Sequence, residues 1–283
     1  MPAPTQGRDG ELERIKVPEL PEVETIRKQA EKGLAGLVIK NVQVLTSKVF
    51  FGDPTILAGE KFLRVNRVGK YLFVHFESGK GLVIHLKMTG RLVLNDSWYA
   101  TAPHTRVVIT LVDGSSIYYW DTRMFGYIKV EPEIMVEEQK IRAKLGPEVW
   151  EIDETQLLRK LQKTGRTIKD TILDQSVLAG VGNIYANDGL WKAGIDPRRK
   201  ANTIKLSEIR KLLASLREVL ERGLELGGAS DNTFRDFAGK SGGYQKEFLV
   251  YGRTGEPCNN CGIPLRRIVV GGRGTWVCEK CQK

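Results

Sequence analysis

Apolar residues recur through the first half of the chain in short runs: Val38–Leu45, Lys61–Val65, Tyr71–Phe76, Leu82–Leu86, Arg91–Leu94, Val107–Leu111 and Ser116–Trp120. Their β-branched and aromatic content, interrupted by Gly, Asp and Asn, predicts antiparallel strands folded as a sandwich or barrel. A helical segment from about Glu22 to Lys32 precedes them. Beyond Pro147 the apolar spacing changes toward the helical period. Asp153 is placed to cap a helix over Glu154–Gln162, and Thr167–Leu173 and Ile184–Lys192 also read as helices. Ser207 precedes a long amphipathic helix over Glu208–Gly223, with a stop at Gly227 and Gly228. The order is a β domain, a helical domain and a short C-terminal module.

Composition narrows the class. With 283 residues, 41% hydrophobic and 28% charged, the chain can bury a core, which argues against wholesale disorder. No apolar run reaches the roughly 18–20 residues that cross a bilayer. The opening MPAPTQGRDGELERIK lacks the apolar stretch of a secretory signal, so the expected setting is the cytoplasm. A net charge of +10, from 44 Lys and Arg against 34 Asp and Glu, favours a polyanionic partner. Charge alone does not separate nucleic acid from an anionic membrane surface.

All four cysteines fall in the last 26 residues, as Cys258-Asn-Asn-Cys261 and Cys278-Glu-Lys-Cys281, with 16 residues between the pairs. That spacing fits a tetrahedral zinc site closed by four thiolates, which leaves no position for catalysis at the metal. The competing reading is two redox pairs or unlinked thiols. Between the pairs, β-branched residues flank Gly-Gly-Arg-Gly, which predicts a hairpin with Arg273 at its tip. A module this small has too little core to fold alone, so the metal supplies folding energy.

Pro18-Glu-Leu-Pro-Glu-Val-Glu-Thr25, Gly180-Val-Gly-Asn-Ile-Tyr-Ala-Asn187 and the cysteine hairpin stand in an order that resembles bacterial formamidopyrimidine-DNA glycosylases, from Pro18 to Lys283. The related endonuclease VIII shares the architecture, but its start typically lacks the Leu-Pro-Glu-Val-Glu-Thr continuation. The resemblance implies an α+β multidomain fold. Residues 18–146 would form a catalytic antiparallel β-sandwich with a flanking helix, and 147–240 a helix–two-turn–helix DNA-binding domain. Residues 241–283 would hold a remnant of the lesion loop and a zinc-finger β-hairpin. The implied activity is excision of oxidised purines, such as 8-oxoguanine and formamidopyrimidines, from duplex DNA, followed by strand cleavage by β,δ-elimination. One structural Zn²⁺ would be the only cofactor, and the enzyme would act as a nucleoid-associated monomer with no membrane partner. The alternatives are an oxidised-pyrimidine glycosylase of the endonuclease VIII kind and a non-catalytic lesion-binding protein.

By the same resemblance, Pro18 is the nucleophile that forms an iminium with the sugar C1′, and Glu19 moves a proton at the sugar ring. Glu22 either faces the same pocket or supports the first helical turn. Lys70 contacts phosphate beside the abasic sugar, and Arg273 reaches the phosphates flanking the extruded nucleotide. Met88 and Phe125 wedge into the gap left by the base while Arg123 hydrogen-bonds the widowed partner. Met124 stands where the family commonly has a second arginine. His104 matches a DNA-contacting histidine. Gly180 and Gly182 let backbone N–H groups approach a phosphate, with Asn183 adding a donor. Lys163, Thr164 and Arg166 fall in a phosphate-contact segment, with Thr164 at a usual lysine position. Residues Gly239 to Tyr244 match the loop that closes over the everted base.

One departure bears on the chemistry. A proline within a chain is a tertiary amide with no nucleophilic lone pair, yet sixteen residues and Val17 precede Pro18. On one reading, translation starts at Val17, since a GUG valine codon also initiates, and the initiator is trimmed. On the other, the extension is real and the protein binds damage without cutting. The upstream stretch shows no apolar pattern, so residues 1–17 are expected to lie outside the native protein.

Overall fold

The computed structural model describes residues 17–230 and 234–283, so most of the expected extension, residues 1–16, lies outside the described residues. Helix α1 (Leu20–Leu34) starts at once. Pro21 has no N–H to satisfy in the first turn, and the Glu22 carboxylate accepts the Glu19 N–H at 2.8 Å. Val23, Ile26, Ala30 and Leu34 form its buried stripe against the β core, while Leu20 packs into the helical domain. The two domains therefore share this helix.

Nine strands follow: β1 (Ile39–Val44), β2 (Phe50–Phe51), β3 (Phe62–Val68), β4 (Tyr71–Phe76), β5 (Gly81–His85), β6 (Arg91–Leu94), β7 (Thr105–Leu111), β8 (Ser116–Trp120) and β9 (Tyr127–Glu131). They make two sheets, ordered β1-β7-β8-β6 and β2-β9-β5-β4-β3, packed face to face as a sandwich. Every pairing is antiparallel except β2 with β9, which run parallel. A single helical turn, α2 (Trp98–Thr101), links β6 to β7, and α3 (Ile134–Lys144) covers the outer face of the larger sheet. Leu72, Val74, Leu82 and Ile84 point into the sandwich, whereas Phe73 and Val83 point outward against Ile134. β5 is therefore buried on both faces.

The helical domain begins with α4 (Glu154–Leu161), capped as expected by Asp153, whose carboxylate accepts the Gln156 N–H at 2.7 Å. Next come α5 (Ile168–Ile172), capped by Thr167, α6 (Asn183–Ala193) and α7 (Leu206–Glu225). α7 starts earlier than Ser207 suggests: Lys205 is the N-cap residue, and the Glu208 carboxylate accepts its N–H at 2.8 Å. After α7 the chain returns to the first domain, where Phe234 and Phe237 enter the sandwich core and Leu94 N–H bonds the Phe237 carbonyl. It then crosses back at Tyr244, which is buried in the helical core. With the Lys144–Glu148 connection, three passages of chain join the halves.

The hairpin β10 (Arg266–Val270) and β11 (Arg273–Val277) closes on Gly271 and Gly272, both at positive φ (56° and 72°), the two-residue turn that suits the twist of paired strands. Arg273 is thus the first residue of β11 and not part of the turn. Cys258, Leu265, Trp276 and Cys278 share one core with α6 and α7. Among the described residues, no helix is long and apolar enough to cross a membrane.

Candidate active site

Pro18 is buried where the chain enters α1, and Leu20 N–H bonds the Gly180 carbonyl at 3.1 Å, seating this entry on the turn before α6. The Glu19 carboxylate lies at the N-terminus of α6. It accepts the Ile184 N–H at 2.8 Å and the Tyr185 N–H at 3.4 Å, the donors that a helix leaves unpaired. The two glycines of the motif make this seat. A Cβ at Gly182 would fall 2.2 Å from the Glu19 side chain, and one at Gly180, where φ is +86°, would fall 2.4 Å from Leu20. In this structure they make room for the Glu19 and Leu20 side chains.

Burial pushes the Glu19 carboxyl up to about 7, with Lys70 opposing the rise. Of the two roles the sequence left open for Glu22, the geometry shows support of the first helical turn. It caps α1 and also accepts from the Tyr185 hydroxyl at 2.9 Å and the Ala229 N–H at 2.6 Å, while burial raises its carboxyl. Lys70 sits in the turn between β3 and β4, with its ammonium donating to the Val181 carbonyl at 3.0 Å. Burial lowers its pKa against the pull of Glu19 and Glu22, and Arg273 and Lys87 lower it further. Val17, Glu19, Lys70, Gln175, Asn183 and Arg273 line one cavity of about 280 Å³.

Two supporting residues escape sequence reasoning. Glu148 accepts from Arg67 at 2.9 Å and from the Gly69 N–H at 2.9 Å, so the helical domain grips the turn that carries Lys70. Lys169, fully buried in α5, donates to the Gly274 carbonyl at 3.0 Å and the Thr275 hydroxyl at 2.7 Å. Burial and then Arg273 bring its ammonium down to about 7. Asn183 donates to the same Gly274 carbonyl at 3.2 Å, so it fastens β11 to the pocket.

The expected wedge residues come together on adjacent loops. Asp121, fully buried, accepts from the Thr89 hydroxyl, the Arg123 N–H at 3.1 Å and the Gly126 N–H at 3.0 Å, which ties the two loops into one unit. Met88 and Phe125 line a shared cleft with Lys48, Phe51, Lys87 and Met124. Each wedge follows a non-glycine residue held left-handed, Lys87 at φ 51° and Met124 at φ 54°. Phe125 is 50% exposed, and the Arg123 guanidinium lies 4.7 Å over its ring with a buried Nη1 that has no hydrogen-bond partner. His104 sits 3.2 Å from Arg106 and edge-on to Trp120.

In the remaining segments, the Thr164 hydroxyl accepts from Arg166, whose guanidinium pairs with Asp174 at 2.8 Å, while Lys163 is exposed. Tyr244 is stacked on Tyr185 and bonded to Asp188, an anchor at the base of its loop.

The four cysteine sulfurs lie within 4.8 Å of one another, with Cys258–Cys281 at 3.9 Å and Cys261–Cys278 at 3.4 Å. Tetrahedral Zn–S bonds of about 2.3 Å put sulfurs about 3.8 Å apart, so the set fits one structural zinc ion. Cys258→Ser is expected to lose the metal and to loosen the core shared with α6 and α7. Zinc content and thermal unfolding check this, and an unchanged melting curve without zinc would refute the structural role.

Three family descriptions match the chain in order: "Formamidopyrimidine-DNA glycosylase N-terminal domain" over residues 17–128, "Formamidopyrimidine-DNA glycosylase H2TH domain" over 145–235, and "Zinc finger found in FPG and IleRS" over 255–283. The formamidopyrimidine-DNA glycosylase of Pelotomaculum thermopropionicum is 39% identical over 275 residues, 94% of this chain and 99% of its own length. The crystal structure of the MutM (FPG) protein from Thermus thermophilus is similar at a TM-score of 0.84 and 38% identity, covering 94% of this chain and 98% of that one. A Lactococcus lactis FPG (MutM) structure in complex with Fapy-dG containing DNA gives 0.85 and 34%, covering 94% and 100%.

Proposed function

This chain belongs to the formamidopyrimidine-DNA glycosylase family, a DNA glycosylase and AP lyase of base excision repair, and on that premise we propose a role for each residue of the site. The active protein begins at Pro18. The first family match starts at residue 17, which supports this start. The secondary amine of Pro18 attacks C1′ of an everted oxidised purine nucleotide. As it does so, Glu19 in its acid form gives a proton to the ring oxygen and the sugar opens. The C1′–N bond then breaks, the base carries off the Pro18 N–H proton, and an iminium remains. Loss of a C2′ proton then expels the 3′ phosphate, a second elimination expels the 5′ phosphate, and water releases Pro18. Lys70 and Arg273 hold the flanking phosphates through both steps.

The observation that carries this reading is the convergence of buried Glu19 and half-buried Lys70, with Val17 and Arg273, on one cavity. Met88, Arg123 and Phe125 fill the duplex, with the Arg123 guanidinium donating to the acceptor edge of the widowed base; its buried Nη1 has no hydrogen-bond partner in the unbound protein. The substrate is DNA in the bacterial cytoplasm. A panel comparing duplexes that carry 8-oxoguanine opposite cytosine with duplexes that carry thymine glycol tests the lesion class. Faster release of the purine is expected, and a preference for thymine glycol would move the chain to the pyrimidine branch. Affinity for duplex is also expected to fall log-linearly with salt, by about 0.9 log units per tenfold salt for each phosphate neutralised. A flat response would remove the electrostatic footing of the site.

A further inference from the structure

Asp170 plays no part in the chemistry above, yet it lies beside one of its cations. It occupies the first turn of α5, where Thr167 fixes it: the hydroxyl donates to Oδ2 at 2.7 Å and accepts the Asp170 N–H at 3.1 Å. With Oδ2 held, Oδ1 turns to the zinc hairpin. That oxygen is buried and has no hydrogen-bond partner, and Arg273 Nη1 stands 3.8 Å from it, inside ion-pair range but beyond a hydrogen bond. The hairpin turn closes tightly here, since a Cβ on Gly271 would fall 1.7 Å from Oδ1. The arrangement is a rigid carboxylate oxygen facing a guanidinium that is still 53% exposed.

We propose that Asp170 is a stand-in for DNA phosphate, which engages Arg273 in the unbound protein and from which DNA must take the guanidinium. Carboxylate and phosphate oxygens are the same class of acceptor for a guanidinium, and phosphate offers the shorter, paired geometry that Asp170 withholds. Lys169 is tied to β11 by its own hydrogen bonds and Lys70 to the Val181 carbonyl, so Arg273 is the exposed cation of the three around the pocket. Asp170 damps the attraction of passing DNA at that position, and the long, exposed pair keeps the threshold low. This inference rests on the assignment of Arg273 to phosphate.

Asp170→Asn keeps an acceptor for Thr167 and removes the charge. Binding is measured for an undamaged duplex and for one that carries a tetrahydrofuran abasic analogue, in wild-type, Asp170→Asn, Arg273→Ala and doubly substituted protein that begins at Pro18. Asp170→Asn is expected to tighten both duplexes by up to about fivefold, the range of an exposed ion pair, with the change in nicking kinetics in KM. In the Arg273→Ala background the gain should vanish, which separates release of Arg273 from a general gain of one positive charge. Asp170→Ala repeats the comparison should the amide disturb the turn, and retained zinc shows that the hairpin is intact. Weaker binding by Asp170→Asn, or a gain that persists without Arg273, overturns the inference alone. Wild-type affinity in Arg273→Ala removes the assignment of Arg273 and this inference with it.

Discussion

Protein that begins at Pro18 is expected to be trapped covalently on abasic duplex DNA by borohydride, and the chain that retains residues 1–17 is expected to give no adduct. The argument is one of bonding. With Val17 attached, the Pro18 nitrogen is a tertiary amide whose lone pair is delocalised, and it cannot form an iminium. Val17 also lines the cavity that the sugar must enter, so its removal both frees the amine and opens space beside Glu19. Pro18→Gly in the trimmed protein keeps an amine but loses the secondary-amine character that forms a stable iminium, and trapping should fall severely. Intact mass of natively expressed protein supplies the companion measurement. An adduct formed by protein with residue 1 in place would refute Pro18 as the nucleophile.

Glu19→Gln is expected to slow base release by roughly 10²–10⁴, the usual worth of a positioned general acid. The amide can keep the acceptor contact to the α6 N–H groups but has no proton to give. In wild type, the raised carboxyl, at about 7, makes the acid form abundant at neutral pH. Release should therefore decline as pH rises through about 7, and this limb should be missing from the residual activity of Glu19→Gln. Stability follows the same sign. Because the folded pKa lies above the ordinary value of 4.5, the fold favours the protonated carboxyl. That contribution is complete below about 4.5 and is lost as pH rises through about 7. Glu19→Gln should thus gain stability relative to wild type at pH 8 but not at pH 4, as read by urea unfolding. A wild-type rate profile that is flat from pH 6 to 8 would take the acid role away from Glu19.

The parts that the sequence revealed are those whose signal is local. Seven strands announced themselves by β-branched runs between turn residues, and the cysteine pairs fixed the last module by spacing. β9 escaped because it follows the wedge loop directly, where Phe125-Gly126-Tyr127 gives no clear boundary. α3 escaped because Ile134 is its one buried residue, and a single anchor makes no periodic stripe. Glu19 and Lys70 were legible as candidates only through the resemblance, since an isolated Pro-Glu or Gly-Lys is commonplace. Glu148 and Lys169 had no local signal at all. Their partners lie 81 and 105 residues away, and only the folded chain sets a charged group against those partners.

The passages of chain between the sandwich and the helical domain bear on how a duplex enters. A single linker would let the two halves pivot about any axis. Here the Lys144–Glu148 connection, the return that buries Phe234 and Phe237, and the crossing back to Tyr244 act as three tethers, with α1 seated in both cores. Such tethering confines relative motion to small rocking absorbed by the loops. A duplex meets a gap whose width is largely set in advance, so the bend needed to present an everted nucleotide falls on the DNA rather than on the protein.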